Sequence, residues 1–137
     1  MSAVFLLQQF RNYAISLVVF LVIDMVWLVG ISKSFYSKQL GYLMAPKVNF
    51  LAAFLFYAIF IVGLSVFVIY PALTKGSWTY AIFYGLLFGL VTYSTYDLTN
   101  LATVKDWPLV ITVIDLVWGS VVCALTSVIS YLIIKLF

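Results

Sequence analysis

The chain has 137 residues, 66% of them apolar and 8% charged, with no histidine and a formal net charge of +3. With a mean hydropathy of +1.22, this composition excludes a water-soluble globular domain and defines a polytopic membrane protein. Histidine and glutamate are both absent, which removes the usual haem and zinc ligands and the His-based nucleophile systems, so neither a metal nor a cofactor is expected.

The spacing of apolar runs predicts an all-α, four-transmembrane-helix bundle forming a single domain over residues 1–137. Each run is long enough for a hydrocarbon core of ~30 Å, which takes about 20 helical residues. The first span is expected at about 12–31. Residues 1–11 contain no small-residue cleavage site, so no cleavable signal peptide is expected. Between the first and second spans, Phe35, Tyr36, Leu40, Tyr42, Leu43 and Met44 lie among lysines, the pattern of a short interfacial helix lying on the membrane. The second span is expected at about 49–70, with Pro71, Gly76 and Ser77 forming the turn that follows. The third is expected at about 78–100 and carries Ala81, Gly85 and Gly89 at four-residue intervals, a small-residue stripe that allows close helix approach. The last is expected at about 108–137, with Pro108 suited to a helix start.

Four spans place Lys33, Lys38, Lys47 and Lys105 on one membrane face and Arg11, Lys75 and Lys135 on the other. That balance is too even to orient the protein by the positive-inside rule. It also admits antiparallel homodimers. The basic loops suit lipid headgroups and topology setting, so membrane lipids are the expected partners and nucleic acid is not.

The chemistry is concentrated in a phrase that occurs twice. Val22-Ile23-Asp24-Met25-Val26-Trp27 in the first span recurs as Val113-Ile114-Asp115-Leu116-Val117-Trp118 in the last. An Asp at the bilayer centre costs about 2.5–3.5 kcal/mol on insertion scales, so two of them ask for a reason. Counted from the expected helix ends, Asp24 and Asp115 each lie ~10 Å below the same face at 1.5 Å per residue, and Asp97 closes the third helix there. Thr112, Asp115, Gly119, Thr126 and Ser130 form one stripe of the last helix, which should face other helices rather than lipid. Trp78 and Trp107 suit interfacial anchoring, whereas Trp27 and Trp118 lie deeper, each beside an Asp.

The candidate ligand-binding residues are therefore Asp24, Trp27, Tyr93, Tyr96, Asp97, Asn100, Asp115 and Trp118. Three acids without an intramembrane Lys or Arg either hold protons or await a cation. Three functions compete. The first is binding or transport of a small cation, an amine-bearing solute or protons, with the aromatic walls supplying cation–π contact. The second is a membrane-embedded enzyme acting on a lipid or isoprenoid, against which stands the lack of a paired Asp metal motif within one helix or of a nucleophile with an adjacent base. The third is a structural or accessory subunit in which the acids serve helix assembly.

The sequence also resembles a family of small bacterial integral membrane proteins catalogued as a domain of unknown function. The residues carrying the resemblance are Asp24 and Trp27, Ala52-Ala53 with Phe56-Tyr57, and Pro71-Ala72. They continue with Gly85 to Gly89, Tyr93, the run Thr95-Tyr96-Asp97-Leu98-Thr99-Asn100, Ala102-Thr103, Trp107-Pro108, and Asp115 with Trp118-Gly119. The resemblance implies the four-helix fold, the same site residues and a bacterial inner (cytoplasmic) membrane location. It brings no activity with it.

Overall fold

A computed structural model of the chain describes residues 2–137. Every regular element among the described residues is helical, and the elements form the expected helical membrane bundle. Helix α1 (Ala3–Trp27) passes through a π-helical stretch, Leu28–Ser32, into α2 (Lys33–Leu40). Helix α3 (Phe50–Leu64) likewise passes through a π-helical stretch, Ser65–Ile69, into α4 (Tyr70–Lys75). Helices α5 (Trp78–Thr103) and α6 (Leu109–Ile134) complete the bundle.

Several boundaries differ from those expected, each for a local reason. Helix α1 starts at Ala3 because Ser2 caps it, its Oγ accepting from the Phe5 N–H at 3.2 Å. It does not stop at Ile31. The short helix expected after the first span is present as α2, joined to α1 without a loop because nothing between Trp27 and Leu40 interrupts the helical path and the wider π turn accommodates Gly30. The continuous stretch Ala3–Leu40 is 38 residues long, about 57 Å at 1.5 Å per residue, so it extends beyond the hydrocarbon.

Pro71 does not form the turn after the second helix. It lies inside that helix, where it has no N–H to donate, and the π-helical stretch just before it makes room for its ring. The turn comes at Gly76, whose φ of 62° is left-handed. Its N–H donates to the Leu73 carbonyl at 3.2 Å, and the Ser77 N–H donates to that of Ala72 at 3.0 Å. This pair of bonds is the Schellman stop. Ser77 then caps α5 through the Tyr80 N–H at 3.1 Å, and Asn49 caps α3 through the Ala52 N–H at 3.1 Å. Pro108 stands one residue before α6 in extended conformation.

Three stretches, Ala3–Leu40, Phe50–Lys75 and Leu109–Ile134, are long and apolar enough to cross a membrane. Helix α5 matches α6 in length at 26 residues but is more polar. Its hydroxyls are largely satisfied on its own backbone: Thr92 Oγ1 donates to the Phe88 carbonyl at 2.8 Å, Thr95 Oγ1 to that of Val91 at 2.7 Å and Thr103 Oγ1 to that of Thr99 at 2.8 Å. Such bonds let a threonine-rich helix reside among other helices in lipid.

The α5–α6 pair has the most extensive interface in the bundle, and glycine permits it. A Cβ on Gly85 would come within 2.8 Å of Ala124 Cα, and one on Gly89 within 2.8 Å of Ser120 Cα. Backbones packed this closely gain dispersion contact where lipid supplies no hydrophobic drive. On α6 the stripe Thr112, Asp115, Gly119, Thr126 and Ser130 is buried throughout. Below the site, Phe20, Ile61, Leu64 and Val122 are fully buried in one apolar cluster.

The ends of the bundle are tied as the four-helix order requires. Tyr42 Oη donates to the Asp106 carbonyl at 2.6 Å, joining the two loops that carry Lys47 and Lys105. At the other end the Arg11 guanidinium lies 5.0 Å from the Phe137 ring centre, and Tyr70 Oη donates to the Gln9 carbonyl at 3.4 Å.

Candidate functional site

The repeated phrases meet. Trp27 of α1 and Trp118 of α6 stack with ring centres 4.4 Å apart and planes 8° from parallel. Because the two helices run in opposite directions, each Asp lies on the far side of this stack from the other. Three residues from Asp to Trp on each helix give an axial offset of about 9 Å at 1.5 Å per residue. Asp24 is thus the deeper of the two, and the equal depths expected from sequence do not hold. The reason is the unbroken passage of α1 into α2: Ile31 is not a helix end, so depth cannot be counted from it.

Each acid is held by a tyrosine from another helix. Tyr57 Oη of α3 donates to Asp24 Oδ2 at 2.6 Å, and Tyr36 Oη of α2 donates to Asp115 Oδ1. The π turn re-aims the residues that follow it, and this brings Tyr36 over Asp115. Asp24 and Asp115 are both buried. The indole N–H groups of Trp27 and Trp118 are buried without a hydrogen-bond partner, Trp118 beside Asp24 and Trp27 beside Tyr36.

Around these pairs is a cavity of about 670 Å³. Its polar lining comes from Asp24, Asp115, Tyr36, Tyr57, Thr92, Tyr93 and Tyr96, and its apolar lining from Trp27, Trp118, Leu28, Leu40, Met44, Phe56 and Phe60. Among the described residues no Lys or Arg lines it. Phe20 packs against two of the lining aromatics, 5.9 Å from Tyr57 and 5.3 Å from Phe60 between ring centres.

Six of the eight residues expected at the site therefore line one cavity: Asp24, Trp27, Tyr93, Tyr96, Asp115 and Trp118. Asp97 and Asn100 do not. Asp97 is fully buried between α5 and α6, and neither of its carboxyl oxygens has a hydrogen-bond partner among the described residues. The Asn100 carbonyl accepts the Val104 N–H at 2.8 Å at the end of α5. Trp107 is not an interfacial anchor: it is buried, and its Nε1 donates to Thr112 Oγ1 at 3.1 Å. Trp78 remains exposed. Among the described residues no group of three His, Cys, Asp or Glu side chains is placed to hold a metal ion.

Tyr36 and Tyr57 were not among the candidates. Tyr57 had a signal, since it belongs to the Phe56-Tyr57 pair in the family-like pattern. Tyr36 had none that periodicity could show, because its aim depends on the π turn. These features define the class: a helical integral membrane protein with two tyrosine-held aspartates facing an intramembrane cavity. The chain belongs to the family DUF2177, described as a predicted membrane protein, whose model matches residues 9–132. No curated protein and no solved structure matches it.

Proposed function

We propose that the protein binds a cationic, amine-bearing ligand within the membrane and acts as a carrier for it, in a bacterial cytoplasmic membrane. The observation that supports this reading is the placement of Asp24 and Asp115 on one aromatic-walled cavity without a lining Lys or Arg. An ammonium group reaching either acid gains a charge-assisted hydrogen bond. The faces of the Trp and Tyr rings add cation–π attraction, about 0.5–1 kcal/mol at exposed sites and about 2 when desolvated. Structural acids alone would be expected to pack against their partners and leave no volume between them, and here about 670 Å³ remains.

The test uses benzylamine as probe, with the purified protein in phosphatidylcholine nanodiscs and binding followed by calorimetry. Wild type should bind it. Asp24→Asn and Asp115→Asn should each weaken binding at least tenfold while keeping the helical circular-dichroism spectrum, because Asn keeps the size and loses the charge. Equal affinity in wild type and both variants, or no binding to wild type, would refute the cation-site reading.

A further inference from the structure

We propose that the ligand of this cavity is an amphiphilic amine dissolved in the bilayer, held by its ammonium group at the aspartates with its apolar chain crossing the cavity rim toward the lipid. This rests on the cation-site reading above and adds the chemical class of the ligand.

The first argument is volume. A cavity of about 670 Å³ is more than twenty times the ~30 Å³ share of one water and lies in the ~300–1,000 Å³ range of sites for whole organic ligands. A bare inorganic cation would occupy a small corner of it. The second argument is the rim. Leu40, Met44 and Phe56 border the cavity, and Met44 and Phe56 are 54% and 48% exposed. The first two turns of α3 pack against little else, with Phe50, Leu51, Phe54 and Leu55 all exposed, and α2 contributes no buried residue. The site therefore opens beside α3 across apolar side chains, on a stretch long and apolar enough to cross a membrane.

A small hydrated cation taking that route would shed its water before meeting either carboxylate, a heavy desolvation cost. An amphiphile in the leaflet already has its chain in hydrocarbon, so only its headgroup need move inward. Charge distribution agrees with this. The two lining acids are buried whereas Met44 and Phe56 are exposed, which matches a molecule with one charged end.

The experiment measures thermal unfolding of the full-length protein in dodecylmaltoside with dodecylamine, propylamine or dodecanol added. Dodecylamine should raise the midpoint of wild type by about 5 °C or more, on the usual scale of ligand stabilisation. Propylamine at 100-fold higher concentration and dodecanol should not. The dodecylamine shift should vanish in Asp115→Asn, and since that variant could fold less well, Asp24→Asn is run beside it. Equal shifts from propylamine and dodecylamine would overturn the amphiphile and leave a site for small water-soluble cations. Equal shifts from dodecanol and dodecylamine would show that the charge is irrelevant, and the cation-site reading would fall as well. No shift from dodecylamine, with benzylamine still binding, would overturn the amphiphile alone.

Discussion

At the scale of single residues, the tyrosines determine whether the acids can be carried in the membrane. A hydrogen bond to a charged group contributes about 1.5–3 kcal/mol, comparable to the ~2.5–3.5 kcal/mol cost of placing an Asp in the bilayer centre. Tyr57→Phe should therefore destabilise the protein by about 1–2 kcal/mol. In the Asp24→Asn background the same change should cost less, because residues in contact are not additive. A double-mutant cycle of unfolding in detergent measures this, and full additivity would show that the Tyr57–Asp24 bond is energetically idle. Gly76 gives a cleaner case. A Cβ there meets no atom within 4 Å, so Gly76→Ala should lose only the left-handed backbone preference, about 1 kcal/mol, and Gly76→Asn less. Equal stability of wild type and Gly76→Ala would contradict the φ of 62°.

At the scale of elements, the tightest contact is between α5 and α6. Gly89→Leu should lower the unfolding midpoint far more than Leu90→Phe, since Gly89 meets the backbone of α6 whereas Leu90 is exposed and lipid accommodates a ring. Similar midpoints for the two variants would exclude this packing. Much of this level was legible beforehand. The Ala81, Gly85, Gly89 spacing and the polar stripe of α6 identify the buried faces, because side-chain size and polarity repeat with the helical period. The two π-helical stretches were not legible, since an inserted residue leaves no mark in an apolar run. Their consequences went unseen with them: the unbroken α1–α2, the depth of Asp24, the aim of Tyr36 and the position of Pro71 within a helix. The sequence pattern places Asp97 among the site residues because its helix and depth are right. That it faces α6 instead of the cavity depends on the crossing of two helices, which no single-helix pattern encodes.

At the scale of the whole molecule, the helix order places Lys75 at one end of the bundle and Lys105 at the other. In right-side-out and inverted vesicles, a membrane-impermeant maleimide should label Lys75→Cys and Lys105→Cys in opposite preparations, with the buried Cys123 unlabelled in both. Labelling of both sites from one side would break the four-helix order, whereas labelling of each site from both sides would show molecules inserted in both orientations.

The glycine contact between α5 and α6 also divides the molecule mechanically. Those two helices are locked together by backbone proximity, while α1 and α3 meet them through side chains, among them the stacked indoles and the Phe60–Phe88 contact. A rocking motion of the bundle would leave the α5–α6 half stiff and make the other the mobile half. Asp97 and Asp115 both ride on the stiff half, so their spacing is constant during such a motion. Asp24 and Tyr57 both belong to the mobile half and stay paired. At the site the seam is spanned by the Tyr36–Asp115 bond and the Trp27–Trp118 stack, and at the two ends of the bundle by Tyr42 on the Asp106 carbonyl and Arg11 over Phe137. If the halves part, Asp24 keeps its phenol and Asp115 loses its own, so two acids that begin with the same local sequence end with different strengths as cation sites.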